Sequence, residues 1–347
     1  MSIKNQKHMN YDQYDYDTLL ASKIPASLAA APQMNFDDAE EASIFFAREL
    51  DFVKSKSYDV VYPELTALAL FPVSSEVDPG AETITYYSYD KVGLAKIISN
   101  YATDLPRADV KGKPTTAIIK SVGDSYGYSI QEMRASRMAG KSLDTRKAEA
   151  ARYQIDYLLN KIAWNGDAET GLRGVLSTEN DIPILVPPAG ANGSTKFADM
   201  TADEILAVFT AAQKQMARTT KKVEKADTIA LPAEAYIELQ NRRIDGTDST
   251  LLSYIQKNLT DIKDIVSCPE LDPDSIDTNP YAAETDGQGV MLMFKNDASK
   301  LTIENPLPFM QYPVQAQGLE MVVPCEARTA GAIIYYPLSL LIIPGIC

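Results

Sequence analysis

Between about Leu143 and Asn165 apolar positions recur every three or four residues, and Ala148, Ala151, Ile155, Leu158, Leu159 and Ile162 form one stripe. The spacing predicts a helix with one buried face. Ser142 or Asp144 can cap its start, and Gly166, just past Asn165, stands where a left-handed C-terminal cap belongs. At 1.5 Å per residue such a helix is roughly 34 Å long, a spine for most of a domain. Trp164, the only tryptophan, closes it and is expected in the core. A second amphipathic helix is signalled by Thr201-Ala202-Asp203-Glu204, a capping box, ahead of Ile205, Leu206, Val208, Phe209, Ala212 and Met216. A third, from Asp37 to Phe52, opens on the acidic turn Asp37, Asp38, Glu40, Glu41 and carries Ala42, Phe45, Phe46 and Leu50.

Other stretches alternate with period two. Tyr62 to about Phe71 reads as strand, and Asp78-Pro79-Gly80 marks a turn. Next, Thr83, Thr85, Tyr87 and Tyr89 alternate with Ile84, Tyr86 and Ser88, and a second β-rich run from Thr115 to Val122 follows Lys111-Gly112-Lys113-Pro114. Two long strands so placed make a hairpin arm or an irregular sheet edge. Strand Thr228 to Leu231, helix Pro232 to Arg242, helix Thr250 to Asn258 and strand Asp264 to Cys268 make a mixed α/β unit. Pro269 to Pro280 reads as a loop, and Val290 to Phe294, Leu301 to Glu304, Gln315 to Val323 and Gly331 to Leu341 read as closing strands. The fold class is therefore α+β. At the other end, Met1 to about Ala31 interleaves Tyr11, Tyr14 and Tyr16 with Asp12, Asp15 and Asp17, an extended arm or, in an isolated monomer, a disordered tail.

Composition narrows the function. With 347 residues, 45% of them apolar, the chain can bury one large core or two modest ones. Its net charge of −14 opposes gripping a phosphate backbone, although an acidic wall around DNA that does not hold it remains open. Against that background Thr83 to Val122 is locally basic: Lys91, Lys96, Arg107, Lys111, Lys113 and Lys120 face only Asp90, Asp104 and Asp109. It is either an ordinary solvated hairpin or an element that lies across the acidic surface of another copy. Met1 to Asn10 lacks a signal-peptide core, and Gly331 to Ile346, the most apolar stretch, is interrupted by Pro337 and Pro344, so no membrane span is expected. Cys268, Cys325 and Cys347 are too few and too scattered for a disulfide framework or a zinc site, and read as small buried hydrophobes or a terminal thiol.

Catalytic patterns are sparse. Gly123-Asp124-Ser125-Tyr126-Gly127 has the spacing of a serine nucleophile elbow, yet the single histidine, His8, precedes Ser125 instead of following it. A glycine-rich turn is the plainer reading, with a Ser125 hydrolase the remote alternative. Ser88-Tyr89-Asp90-Lys91 has Ser-x-x-Lys spacing in a strand pattern, where that nucleophile does not belong. Asp272, Asp274 and Asp277 lack the glycine and closing glutamate of a calcium loop and read as a solvated acidic loop. No phosphate-cradling glycine run follows a strand, so no cofactor and no metal is expected.

The order of parts resembles the Hong Kong 97-like fold of tailed-bacteriophage major capsid proteins. The resemblance is carried by Pro79-Gly80-Ala81-Glu82-Thr83, Tyr101-Ala102-Thr103-Asp104-Leu105-Pro106, Tyr126-Gly127-Tyr128-Ser129-Ile130, Asn165-Gly166-Asp167 leading into Gly171-Leu172-Arg173-Gly174-Val175-Leu176, and the run Arg328 to Pro337. These runs span about residues 60 to 347; Met1 to Asp51 carries none of them. The resemblance implies an N-terminal arm and short helix (1–51), a peripheral-domain start (52–82), an extended loop (83–122), a spine helix and peripheral domain (123–199), an axial domain (200–286) and closing strands (287–347). It further implies a non-enzymatic shell subunit that joins itself into hexamers and pentamers around a double-stranded DNA genome, in a virion assembled in the host bacterial cytoplasm. Lys91, Lys96, Arg107, Lys111 and Lys113 would then be interface residues, with scaffolding, portal and decoration proteins as further partners. Some relatives join a lysine to an asparagine between subunits; no asparagine with its catalytic carboxylate can be matched here, so crosslinking is not expected. An encapsulin-like nanocompartment shell shares the fold, and the long N-terminal arm and the phage-like runs speak against it.

Overall fold

Alternation and helical spacing both survive into three dimensions in the computed structural model, which describes residues 64–92, 107–139, 146–244, 246–283 and 287–347. The expected N-terminal arm, the helix over Asp37 to Phe52, His8, Lys96 and the capping residues Ser142 and Asp144 lie outside them. In chain order, α1 (Ala67–Leu70) and β1 (Val73–Ser74) lead to a long hairpin of β2 (Thr83–Val92) and β3 (Asp109–Ile118), then β4 (Lys120–Ser129), α2 (Ile130–Ala139) and the spine helix α3 (Arg146–Trp164). Two-residue strands β5 (Gly166–Asp167) and β6 (Leu172–Arg173) precede α4 (Ala202–Thr219), β7 (Thr228–Leu231), α5 (Ala233–Asn241), α6 (Leu251–Asn258) and β8 (Asp264–Ser267). The chain closes with β9 (Val290–Phe294), β10 (Leu301–Glu304), β11 (Leu307–Gln311), β12 (Gln315–Gln317), β13 (Glu320–Thr329), β14 (Gly331–Ile334) and β15 (Leu340–Pro344).

Three apolar clusters organise the unit Leu65–Cys347. The first packs α4, α5 and α6 on a sheet of order β15-β9-β7-β8, whose inner strands β7 and β9 are buried at every position. The capping box of α4 is made as expected: Glu204 N–H donates to Thr201 Oγ1 at 3.4 Å, and Thr201 N–H donates to the Glu204 carboxylate at 2.8 Å. The second lies on the sheet β1-β10-β14-β6-β5, where Trp164 is fully buried with its ring edge-on to Phe71 at 5.0 Å. The third buries the stripe of α3, with Ala151, Ile155, Leu159 and Ile162 against Val122, Cys325 and Ala327 of β4 and β13. Past the last turn of α3, Gly166 adopts φ +78°, the left-handed cap its position predicts.

The acidic loop after β8 is a strap between these clusters: Asp274 and Asp277 are exposed as expected, while Asp272 is half-buried. Glu270 is buried and accepts from Thr66 N–H at 2.8 Å, Thr66 Oγ1 at 2.7 Å and Asn160 Nδ2 at 3.0 Å, tying α1 and α3 to the loop. Asp277 takes Lys161 Nζ at 2.9 Å. Asp272 accepts from Ala233 N–H at 2.6 Å and so caps α5, where Pro232 has no side chain able to do it.

Burial, helped by the charges of Glu234, Asp274 and Glu270 and opposed by the Ala233 N–H, pushes the Asp272 carboxyl from 3.8 up to about 6. Between those values the folded chain holds a proton that the unfolded chain has lost, so stability falls as pH rises through the window. An Asp272→Asn variant is therefore expected to be more stable than the parent at pH 7, on the order of 1–2 kcal/mol once solvent screening of this half-buried group is discounted, and to lose that advantage by pH 4. Urea denaturation of both at several pH values checks this; an advantage unchanged by pH would sink it.

Several element expectations need correction. Within Tyr62 to Phe71 the described residues form the helix α1, not a strand. The run Thr115 to Val122 belongs to two strands, because Ile119, 4% exposed, is a pivot whose N–H donates to Glu82 O at 2.8 Å. Gln315 to Val323 folds back as β12 and β13 at Gly318, φ +62°. Gly331 to Leu341 is likewise two strands, separated by a turn at Pro337–Ser339.

Candidate assembly surface

The hairpin leaves most of its described residues exposed. Its strands pair without a bulge from Thr83 opposite Ile118 to Val92 opposite Asp109, ten rungs in all, or about 33 Å at the usual rise of a strand. Opposed residues share a face, so register sorts the side chains. One face carries Ile84, Tyr86 and Ser88 with Ala117, Thr115, Lys113 and Lys111; the other carries Thr85, Tyr87 and Tyr89 with Thr116, Pro114, Gly112 and Val110.

At its root the first of these faces rests on the body. Ile84 and Ala117 are half-buried there, and Tyr86 meets Tyr335 edge to face at 5.1 Å. Arg328 Nη1 donates to Pro79 O, holding the turn that starts β2. Asp78 tightens that turn by accepting from Gly80 N–H at 2.7 Å. Above the root, every residue from Asp109 to Pro114 is exposed. On the second face Tyr87 and Tyr89 stack at 6.3 Å while 61% and 70% exposed, and Val110 is 56% exposed.

The basic residues fall unevenly on this frame. Lys111 and Lys113 lie exposed on β3, on the face opposite Tyr87 and Tyr89, and Arg107 lies exposed just before it. Lys91 sits in β2 opposite Val110. Sequence reasoning found the charge but not the sorting of aromatic and basic side chains, which needs the register.

The serine motif sits in the middle of a strand. Gly123 to Gly127 belongs to β4, paired along its whole length with β13, so the expected turn is not there, and neither is the strand-to-helix corner of a nucleophile elbow. No histidine is present among the described residues. The free edge of β4 is largely spoken for, because Lys147 Nζ donates to Gly127 O at 3.0 Å, Ser125 N–H to Asp124 Oδ1 at 2.7 Å and Ser129 N–H to Glu132 at 3.1 Å. Burial pushes the thiols of Cys268 and Cys347 up to about 12, far from nucleophilic character. Among the described residues no group of His, Cys, Asp and Glu could hold a metal ion, and no helix is long and apolar enough to cross a membrane.

Comparison with known proteins gives this geometry its context. Residues 93–346 match the family described as "Major capsid protein". Among solved structures, the capsid of Myoviridae phage XM1 superposes with a TM-score of 0.72 at 16% identity, covering 88% of this chain and 100% of that one. The capsid of a native GTA particle gives 0.60 at 10% identity over 87% and 97%, and a chain of Mycobacterium phage Ogopogo 0.55 at 11% over 87% and 99%. No curated protein sequence matches. The shared fold is the Hong Kong 97-like one, and with most of its length matched to the family the chain belongs to the major capsid proteins.

Proposed function

We propose that the protein is the shell-forming subunit of a tailed phage, assembling through hexamers and pentamers into an icosahedral coat around double-stranded DNA. Membership of the family makes it a structural subunit and not an enzyme, and places it in the virion. The observation that carries the assembly mechanism is the hairpin: ten rungs long, exposed from Asp109 to Pro114, with Tyr87, Tyr89 and Val110 exposed on one face. A two-stranded hairpin is marginal in water, so one of this length needs a surface to lie on. Its five basic residues among three acidic ones, in a chain of net charge −14, favour the acidic surface of another copy.

In this reading Lys91, Lys96, Arg107, Lys111 and Lys113 act at the contact between copies, by steering and register more than by affinity. The segment 200–286, with part of the closing strands, surrounds the capsomer axis, and the sheet of β4 and β13 joins capsomers at the periphery. DNA is enclosed without sequence-specific contacts, since the net charge of −14 opposes phosphate binding. Scaffolding, portal and decoration proteins complete the particle, which assembles in the cytoplasm of the host bacterium.

The test is negative-stain electron microscopy with sedimentation of the protein expressed alone at high concentration, then with candidate scaffolds. Shells, tubes or capsomer rings are expected. Monomers or dimers under every salt, pH and scaffold condition would overturn the reading.

A further inference from the structure

We propose that the cleft between the hairpin root and the body is a binding site for an alkylammonium group, carried by a free aliphatic amine or by a lysine side chain of another copy. The cleft has a volume of about 290 Å³, at the small end of ligand clefts. Its walls include Tyr86 and Ser88 of β2, Ser299 just before β10, and Tyr335 and Tyr336 just after β14.

The body holds two of the rings in place. Tyr335 N–H donates to Lys300 O at 2.9 Å, and the N–H and hydroxyl of Ser339 donate to Tyr336 O at 2.9 and 2.7 Å. Tyr86 comes from the hairpin and meets Tyr335 at 5.1 Å, with the ring planes 80° apart. Two rings at right angles make a corner with π-electron density on two sides, which attracts a cation. Tyr336, half exposed, adds a third ring and already holds one cation: Lys300 Nζ lies over it at 4.2 Å, its charge matched by Glu224 at 2.6 Å.

Polar groups around the rings favour positive charge. The Tyr335 and Thr302 hydroxyls are 3.2 Å apart, and Thr302 donates to Glu304 Oε1 at 3.1 Å, so the phenol gives its proton to Thr302 and the chain of bonds ends on a carboxylate. Glu304 is buried, and no described residue donates to its Oε2. A buried carboxylate oxygen without a donor is costly, and a cation in the cleft, two hydrogen bonds away, offsets that cost. The same field acts on Tyr335: burial raises its phenol above the usual range, and Glu304, Tyr86 and Glu76 raise it further against the Thr302 bond. Beside Ser299, Asp297 accepts the Ser299 N–H at 2.8 Å, and that bond holds the Asp297 carboxyl below its usual range and so ionised. The Ser88 hydroxyl donates to Lys113 O at 3.3 Å, which leaves its lone pairs free for an ammonium proton. Lys113 shares the face of Tyr86 and Ser88 but is exposed and forms no part of the walls.

This chemistry selects among ligands. Asp297 and Glu304 repel an anion, an uncharged chain leaves Glu304 Oε2 as it is, and a divalent ion meets rings where it needs oxygen ligands. An alkylammonium brings methylenes to the rings and charge to the carboxylates.

The experiment is isothermal titration calorimetry of the full chain as a monomer, at physiological ionic strength so that scattered surface charge is screened, with cadaverine as probe and uncharged pentanediol as its control. Cadaverine should bind with a dissociation constant on the order of 1 mM or tighter, and pentanediol should not bind. Tyr336→Leu should weaken cadaverine about fivefold and Tyr336→Phe by less than about twofold, because the ring and not the hydroxyl attracts the cation. Absence of binding, an isotherm unchanged by Tyr336→Leu, or equal binding of pentanediol would overturn the site. The monomer test needs no assembly, so its result is independent of the shell reading. Equilibrium dialysis of assembled particles then separates the two sources: uptake lost with Tyr336→Leu identifies a free amine as occupant, and no uptake by particles whose monomers bind identifies a lysine of another copy.

Discussion

A chain in which residues 88–113 are replaced by Asn-Gly is expected to fold, to sediment as a monomer and to form no shells. The cut leaves in place the contact of the hairpin's root with the body, Tyr86 against Tyr335, and the Thr85–Thr116 hydroxyl pair at 3.0 Å that ties its two strands together. Asn-Gly closes a two-residue hairpin turn without strain. Of what is removed, the described residues Ser88, Tyr89, Val92 and Arg107 to Lys113 are exposed, so their loss should change the monomer's stability by less than about 1 kcal/mol. Assembly should fail completely, because a contact made by every copy is lost at every copy. Analytical ultracentrifugation and electron microscopy read the two halves separately. Normal shells from the shortened chain would falsify the role given to the hairpin, and an unfolded monomer would show that the distal strands stabilise the body.

How much of this was written in the sequence depends on the kind of signal. Helices whose stripes face one core were plain, and α4 could be placed to the residue because Thr201 and Glu204 announce its start. The same device announces α2: Ser129-Ile130-Gln131-Glu132 has capping-box spacing, and the reciprocal bonds form, Glu132 N–H to Ser129 Oγ and Ser129 N–H to Glu132, each at 3.1 Å. Periodicity does not reveal it, because the helix after it has no apolar stripe. β11 was hidden for a different reason. Pro308 in Leu307–Gln311 argues against a central strand, yet β11 is an edge strand with a register shift, where proline is tolerated. The break at Ile119 leaves no local trace, since an apolar residue among β-formers reads as more strand. The assembly surface was half visible: the excess of lysine and arginine is a count, but which residues share a face with Tyr87 and Tyr89 depends on pairing, and Lys96 lies beyond the described residues. Ser125 shows the opposite failure, a catalytic spacing produced by a strand that alternates glycine and serine on its outer face.

The short run Thr329-Ala330-Gly331 is the joint between two sheets, and Gly331→Ala is expected to be among the most damaging single changes to the monomer. The chain leaves β13 and enters β14 here, pairing with β10 through Glu304 and with β6 through Arg173. Two bonds fix the approach, Ala330 N–H to Glu304 O at 2.8 Å and Gly331 N–H to Thr329 Oγ1 at 3.0 Å. Gly331 has φ +72°, where an L-residue is strained by about 1–3 kcal/mol. A methyl group would also run into the carbonyl oxygen of Arg173, which is backbone in a paired strand and cannot swing aside. Such overpacking adds about 1–3 kcal/mol, so a loss of about 3 kcal/mol or more is expected. Gly318→Ala is the control. It has a similar φ, +62°, but a β-carbon there meets nothing within 4 Å, so only the conformational cost of about 1–2 kcal/mol applies. Both changes belong in the hairpin-shortened monomer, where subunit association does not add to apparent stability. Urea unfolding should show the two penalties well separated, and equal midpoints would mean that β14 and β6 give way to the methyl group and that the close approach at Arg173 is not what holds the two sheets together.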